Sequence, residues 1–334
     1  MTTQLHLSRF KVEELTSNNE AMRRCLQLAV LAAGSDIPVL LLGRTGTGKT
    51  LLAQAIHNSS ARAKGPFVAF NASAMSDTLL ESQLFGHERG AFTGAQQSVK
   101  GKFELANNGT LFLDEIADMS ALAQAKILRA VEYGEFERVG GERMMRSDAR
   151  ILSATNCSLR ERIRDGRFRD DLYHRLDGLV LVVPSLRDRP EDLPSLIASE
   201  LKAAAAEAGK RITSIHPAAM QLLVSYEWPG NLRELHHTIR SVVLFSEGAV
   251  VLPEHIVFQR DLAAEVLPEE VHDRQAAPAP EGAPAAADLS LDAAVNAHVR
   301  RVYEFTGRNQ RQTAKVLGIS RGKLARHLSE TALK

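Results

Sequence analysis

A glycine-rich segment of the chain has the residue types and the spacing that phosphate binding requires. It fits the P-loop pattern through eight consecutive positions, Gly43, Arg44, Thr45, Gly46, Thr47, Gly48, Lys49 and Thr50. Glycines let backbone N–H groups turn inward around phosphate oxygens, and the start of the next helix adds partial positive charge. We expect Lys49 to reach the β- and γ-phosphates and the Thr50 hydroxyl to coordinate Mg²⁺. The segment predicts a nucleotide site.

A hydrophobic run that ends in two carboxylates supplies the second part of such a site. Residues 110–115 read Thr-Leu-Phe-Leu-Asp-Glu. We expect Asp114 to hold Mg²⁺ through water and Glu115 to orient or deprotonate the attacking water. Two solvated acids at the end of a strand are common in isolation, but their position downstream of a P-loop favours catalysis. The pair predicts hydrolysis of the bound nucleotide with Mg²⁺ as cofactor.

The elements that must position these residues follow from the hydrophobic pattern. Short apolar runs at 37–42, 67–70, 110–113, 150–154 and 179–183 predict buried strands, and helical patterns such as 20–33 and 121–132 lie between them. This alternation indicates an α/β core with a parallel sheet that helices cover on both faces. Residues 190–247 show helical patterns alone, at 191–208, 217–226 and 229–245, and predict a helical lid after the core.

The formal net charge of +1 hides an asymmetry in the last part of the chain. Residues 261–292 hold eight acids and one base, whereas residues 297–334 hold nine bases and two acids. The Ala/Pro-rich stretch 262–288 predicts an extended linker. Residues 310–328 predict a helix-turn-helix with its turn at Gly318, after a longer helix over 292–305. The residues expected to contact DNA are Ser320, Arg321, Lys323 and Arg326; a basic helical hairpin without that role is the alternative.

The run Glu81-Ser-Gln-Leu-Phe-Gly-His-Glu-Arg-Gly-Ala-Phe-Thr-Gly-Ala95 resembles bacterial enhancer-binding proteins. These are AAA+ ATPases that activate RNA polymerase carrying the sigma-54 factor, and the resemblance covers roughly residues 14–258 and 289–330. In that family a loop contacts sigma-54, and its counterpart here comprises Gly90, Ala91, Phe92, Thr93, Gly94 and Ala95. We expect this loop to present an exposed aromatic at a flexible tip. A turn with one buried Phe is the alternative.

The same resemblance implies roles for single residues. Asn71 matches the asparagine that restrains the catalytic glutamate, Asn156 the sensor of the γ-phosphate, and Arg233 the second sensor on the lid. Arg169 and Arg175 match two arginines that act on a neighbouring subunit. The implied assembly is therefore a homo-oligomer, usually a hexamer, with a dimer as an alternative resting state. A second loop, 134–142, is expected to support the first.

The implied organisation has five parts. These are a short tail (1–13), an AAA+ α/β subdomain (14–188), a helical lid (189–258), an acidic Ala/Pro-rich linker (259–288) and an all-α Fis-type helix-turn-helix (289–334). Only 36 residues precede the first predicted strand, too few for a regulatory domain of about 100 residues. We therefore expect the subset of the family without such a domain, controlled by a separate regulatory protein or by expression level.

The function implied is a sigma-54-dependent transcription activator in which ATP hydrolysis by a ring remodels the closed polymerase complex to the open one. Its partners would be the sigma-54 RNA polymerase holoenzyme and upstream enhancer-like DNA. Two cysteines outside any metal-binding spacing, and the lack of an apolar run of about 18 residues, predict a cytoplasmic protein. One alternative is a regulator of the ordinary polymerase that does not remodel a polymerase complex. The intact Phe92 loop argues against it. The other is a AAA+ helicase or chaperone-type motor, which the helix-turn-helix fits poorly.

Overall fold

The computed structural model describes residues 10–73 and 75–258, together with the isolated positions 299, 303, 310, 313, 314 and 324. Its strands are β1 (Val39–Leu42), β2 (Phe67–Asn71), β3 (Gly86–His87), β4 (Val99–Lys100), β5 (Thr110–Asp114), β6 (Glu135–Glu137), β7 (Met144–Arg146), β8 (Arg150–Thr155), β9 (Leu179–Val182), β10 (Ser214–Ile215) and β11 (Val250–Val251). Its helices are α1 (Glu20–Ala33), α2 (Lys49–Asn58), α3 (Asp77–Phe85), α4 (Lys102–Leu105), α5 (Ala121–Tyr133), α6 (Leu159–Arg164), α7 (Asp170–Leu176), α8 (Leu193–Ala208), α9 (Pro217–Ser225) and α10 (Asn231–Phe245).

A five-stranded parallel sheet with the order β2-β5-β8-β1-β9 forms the centre of the α/β part. Side chains alternate between its faces, as strand geometry requires. Leu111 and Leu113 of β5 pack into the cluster that includes α5 and α7, whereas Phe112 packs into the cluster that includes α1 and α2. Because both faces are covered, the strands are continuously apolar, which confirms the prediction of a parallel sheet between helices.

The lid follows β9 through two 3-10 turns, Leu186–Asp188 and Pro190–Asp192. Its core gathers apolar side chains of α8, α9 and α10 around Trp228, which is 1% exposed. The expectation of helices alone over 190–247 was wrong in one detail, because β10 pairs in parallel with β11. Two-residue strands are too short to produce a period in the sequence.

The contacts divide the chain into two units, Met1–Pro268 and Glu269–Lys334. In the second unit the described residues Val299, Ala314 and Leu324 are buried together. The predicted linker and helix-turn-helix, including Ser320, Arg321, Lys323 and Arg326, otherwise lie outside the described residues. In the part that is described, no helix has the length and apolar character needed to cross a membrane.

Candidate nucleotide site and loop

The P-loop connects the end of β1 to the start of α2. Gly46 and Gly48 have φ values of +78° and +101°, in the region that favours glycine. Gly43 N–H donates to the carbonyl of Thr155 at the end of β8. The first turn of α2 then starts at Lys49, directly after Gly48. The sequence thus folds here into a loop whose backbone leads into a helix N-terminus, the geometry that anion binding uses.

Lys49 lies against this loop and is 5% exposed. Its Nζ donates to the carbonyl of Gly43 at 2.8 Å and to that of Arg44 at 3.3 Å. The same nitrogen is 3.8 Å from Oε1 of Glu115. One cation therefore contacts the P-loop and a predicted catalytic carboxylate together.

Asp114 and Glu115 stand at the carboxyl end of β5, beside the P-loop. Burial raises the pKa of both carboxyl groups, and the charge of Lys49 opposes this rise. The negative charge of Asp114 further raises the pKa of Glu115. Glu115 has a φ of +53°, so the chain turns sharply at the residue predicted to act on water. The two acids are both affected by the charge of Lys49 and differ in their other neighbours.

The oxygen atoms predicted to hold Mg²⁺ are brought together. The Thr50 hydroxyl lies close enough to Asp114 to lower the pKa of that carboxyl. A hydroxyl and a carboxylate suit Mg²⁺, which prefers oxygen ligands and completes its shell with water and substrate phosphates. Within the described residues no group of three His, Cys, Asp or Glu side chains could bind a metal by itself. The donor set fits Mg²⁺ held jointly with a nucleotide.

Asn156 directly follows β8 and contacts both halves of the site. Its backbone N–H donates to Oε2 of Glu115 at 3.2 Å, and its Nδ2 donates to Oγ1 of Thr45 at 3.0 Å. Asn71 lies opposite Asp114 in the sheet register, but its Oδ1 accepts hydrogen bonds from the backbone and hydroxyl of Ser73. Among the described residues, Glu115 is thus held by Asn156 and Lys49 and not by Asn71. Restraint of Glu115 by Asn71 stays a prediction.

The lid reaches the P-loop through the first turn of α10. A Cβ built on Gly46 would lie 2.3 Å from the carbonyl oxygen of Gly230 and 3.3 Å from Cβ of Arg233. The charge of Arg233 lowers the pKa of Asp114, which places this exposed arginine on the side of the carboxylates. Arg189, from the connection between core and lid, donates to the carbonyl of Thr47 at 3.3 Å. The structure therefore brings Arg233 to the P-loop.

Arg169 and Arg175 lie on the surface, at and after the start of α7. Their side chains are 45% and 54% exposed and pair with Asp171 and Glu132 respectively. In the described part of the chain, neither arginine hydrogen-bonds to the P-loop or to Glu115. Surface positions of this kind leave both guanidinium groups accessible to a second subunit.

Sequence reasoning missed Gln124 of α5, which holds the segment before α7. This side chain is 1% exposed. Its Nε2 donates to the carbonyls of Met119 and Arg167 at 2.8 and 3.0 Å, and its Oε1 accepts from Arg169 N–H at 2.8 Å. Gln124 is separated from Arg169 by 45 positions and stands in an ordinary helical pattern, so no local signal could have identified it.

The segment that resembles a sigma-54 contact loop rises from the hairpin of β3 and β4. Its tip closes with a hydrogen bond from Gly90 N–H to the carbonyl of Ala95 at 2.9 Å. Phe92 is half-buried, with its ring at 5.0 Å from that of His87 in an edge-on arrangement. The expectation of an exposed aromatic therefore needs correction, because His87 covers one side of the ring. Thr93 is exposed.

The second predicted loop lies beside the base of this segment. Glu88 N–H donates to the carbonyl of Val139 at 3.0 Å, and Val139 N–H donates to the carbonyl of Gly86 at 2.9 Å. Arg138 pairs with Glu88 at 2.9 Å and with Glu104 at 2.8 Å. The two loops therefore share one hydrogen-bonded base.

Comparison with known proteins identifies the family. Residues 15–182 match the model of the Sigma-54 interaction domain, and residues 187–279 match that of the AAA+ ATPase lid domain. The chain belongs to the sigma-54 enhancer-binding proteins. Within this family, a Nif-specific regulatory protein of Enterobacter agglomerans is 40% identical over 319 residues, which cover 95% of this chain and 59% of that protein.

One further relative and one solved structure match this chain over a similar extent. Regulatory protein AtoC of Escherichia coli (strain K12) is 41% identical over 320 residues, which cover 95% of this chain and 67% of AtoC. The chain thus spans 59–67% of the length of these two curated relatives. A crystal structure of NtrX from Brucella abortus in complex with ATP superposes with a TM-score of 0.66 at 32% identity, covering 97% of this chain and 70% of NtrX.

Proposed function

We propose that this enhancer-binding protein hydrolyses ATP as a ring and uses the energy to remodel the sigma-54 polymerase complex. The observation that carries the proposal is the convergence of four elements at the carboxyl end of the sheet. The P-loop, the acids of β5, Asn156 after β8 and the lid helix α10 all meet there. Ligands bind at this edge in open α/β sheets.

The described residues would supply each part of a phosphoryl transfer to water. P-loop N–H groups and Lys49 would bind the phosphates, while Thr50 and Asp114 would hold Mg²⁺, which neutralises charge on the phosphate oxygens. Glu115 would orient the attacking water and accept its proton. Its raised pKa makes it a stronger base than an ordinary glutamate, and Asn156 fixes its other oxygen.

Arg169 and Arg175 would complete the site of a neighbouring subunit. Both are exposed and hydrogen-bond to nearby carboxylates on their own chain. An arginine supplied in this way stabilises transition-state charge and raises turnover by about 10³–10⁵. The active site would then lie between subunits, and hydrolysis per chain would rise with protein concentration.

The Phe92 loop would carry the effect of hydrolysis to sigma-54. Phe92 and Thr93 stand at the tip of a segment whose base is tied to the second loop. Contact of the γ-phosphate with Glu115 and Asn71 would raise both loops, and hydrolysis would reset them. The predicted helix-turn-helix would hold the ring at upstream DNA.

A separation-of-function variant tests this division. Thr93→Ala is expected to leave ATP hydrolysis unchanged and to abolish transcription from a sigma-54 promoter, because exposed Thr93 lies outside the nucleotide site. Gln97→Ala, an exposed residue just beyond the tip, is the matched control and should retain both activities. Equal loss of hydrolysis and transcription in Thr93→Ala would contradict the proposal.

A further inference from the structure

Asn231, the first residue of α10, joins three parts of the chain through one side-chain amide. Its Oδ1 accepts from Leu186 N–H at 2.8 Å, and its Nδ2 donates to the carbonyl of Thr45 at 2.9 Å and to that of Pro229 at 3.4 Å. The residue is 1% exposed. One buried amide therefore contacts the connection between core and lid, the P-loop and the lid itself.

The backbone at this position is fixed in an unusual conformation. Asn231 has a φ of +53°, and Trp228, three residues earlier, has a φ of +51°. Asn231 N–H donates to the carbonyl of Trp228 at 2.8 Å, which closes the turn before α10. Asparagine adopts positive φ more readily than most residues, but such a conformation persists only where the surroundings determine it. The turn that begins the lid helix is thus held in one orientation.

This orientation sets the distance between lid and P-loop. Gly230, directly before Asn231, and Arg233, two residues after it, supply the atoms that a Cβ built on Gly46 would meet first. The charge of Arg233 also lowers the pKa of Asp114. A small rotation of the first turn of α10 would therefore shift the positions of the P-loop and of Arg233 together.

We propose that Asn231 is a positioning residue that locks α10 to the Thr45 carbonyl and so sets Arg233 at the nucleotide. The inference rests on the proposed nucleotide site. All three hydrogen bonds of the Asn231 side chain go to main-chain groups, so it acts through Thr45 and Arg233 and not as a phosphate ligand. Because the acceptor is the backbone carbonyl of Thr45, no change of the Thr45 side chain removes this hydrogen bond.

The variant Asn231→Asp removes the donation from the side-chain amide to Thr45. Its shape is nearly unchanged and it still accepts from Leu186 N–H, but it cannot donate to Thr45 and brings a carboxylate against that carbonyl. We expect the Kd for a fluorescent ATP analogue to rise about tenfold at temperatures well below unfolding, because a buried carbonyl is left unsatisfied. The matched control is Thr238→Val on the same helix.

Thr238 is 2% exposed, and its Oγ1 has no hydrogen-bond partner among the described residues. Thr238→Val should therefore keep the affinity of the original chain. If Asn231→Asp does not fold, Asn231→Gly replaces it, because glycine adopts positive φ freely and still lacks the amide; the same tenfold loss is expected.

Two results would overturn the inference. One is a folded Asn231→Asp or Asn231→Gly chain that binds the analogue as tightly as the original. The other is an equal loss of affinity in Thr238→Val, which would show a general effect of loosening α10. Failure of the unaltered chain to bind the analogue would refute the proposed nucleotide site itself, and the inference with it.

Discussion

Adding one methyl group to the P-loop at Gly46 should separate the lid from the core. Gly46 has a φ of +78°, and a Cβ there would lie 2.3 Å from the carbonyl oxygen of Gly230. Side-chain Cβ atoms essentially never approach other atoms within 3.0 Å. In Gly46→Ala the P-loop and the start of α10 must therefore move apart by at least the difference between 3.0 and 2.3 Å, about 0.7 Å. The obstructing atom is backbone, so no side-chain rotation can relieve it.

The magnitude has two parts. The left-handed backbone costs an alanine about 1–2 kcal/mol. The separation also stretches the 2.9 Å bond from Asn231 to Thr45 beyond hydrogen-bonding distance, which costs about 1 kcal/mol more. We expect Gly46→Ala to lower the free energy of unfolding by about 2–3 kcal/mol. A P-loop N–H displaced by this movement loses its hydrogen bond to a charged phosphate, which is worth about 1.5–3 kcal/mol, so ATP affinity should fall by about 10- to 100-fold.

Gly209→Ala provides the matched control. Gly209 ends α8 with a φ of +64°, and a Cβ there meets no described atom within 4 Å. It should cost about 1–2 kcal/mol and leave ATP affinity unchanged. The assay is urea unfolding followed by emission of Trp228, the single tryptophan, with titration of a fluorescent ATP analogue. Equal ATP affinity in Gly46→Ala and Gly209→Ala would refute the predicted contact between lid and P-loop.

Three further outcomes are expected. Glu115→Gln should abolish hydrolysis. It should also raise the melting temperature of the nucleotide-free chain at pH 8, because burial raises the pKa of Glu115 and its ionised form therefore lowers stability. The gain should shrink as the pH falls through the folded pKa of Glu115 in a melting series. Arg169→Ala should lower hydrolysis at least 10³-fold, and an equal mixture of this variant with Glu115→Gln should regain activity. The control is Arg167→Ala, which removes a similarly exposed arginine paired with a nearby acid and should hydrolyse ATP normally. Gln124→Leu should lose about 2–4 kcal/mol of unfolding free energy in urea, because the carbonyls of Met119 and Arg167 and the N–H of Arg169 lose their partner.

Each of these expectations has a contradicting result. The difference in melting temperature between Glu115→Gln and the unaltered chain should change with pH. A difference that is the same at every pH would show that burial of ionised Glu115 has no cost. Failure of the mixture of Arg169→Ala and Glu115→Gln to regain hydrolysis would place Arg169 outside the neighbouring site. An unfolding free energy of Gln124→Leu within about 0.5 kcal/mol of the original would show that its bonds contribute nothing.

The sheet and the ends of its strands were predictable from sequence, because chemistry and pattern coincide there. Buried parallel strands are continuous apolar runs, and the P-loop and the two acids each follow such a run directly. Leu111 and Leu113 face one side and Phe112 the other, so the run 110–113 shows no alternation and indicates burial on both faces. The pattern thus located both the fold and the residues at its functional edge.

The contacts that tie the site together were not predictable, because they join residues distant in sequence through main-chain atoms. Asn231 reaches Thr45 across 186 positions. Its role depends on a positive φ. For a residue other than glycine, the sequence carries no clear sign of this conformation. Phe92 is half-buried because the hairpin folds His87 against it, which depends on the pairing of β3 and β4.

The most direct test of the proposed function is open-complex formation on a supercoiled sigma-54 promoter. Purified protein and sigma-54 holoenzyme would be compared with ATP and with ADP, and promoter opening would be detected by reactivity of unpaired bases. We predict opening with ATP and none with ADP. Measurable ATP hydrolysis without opening would contradict the proposal that ATP hydrolysis remodels the polymerase complex.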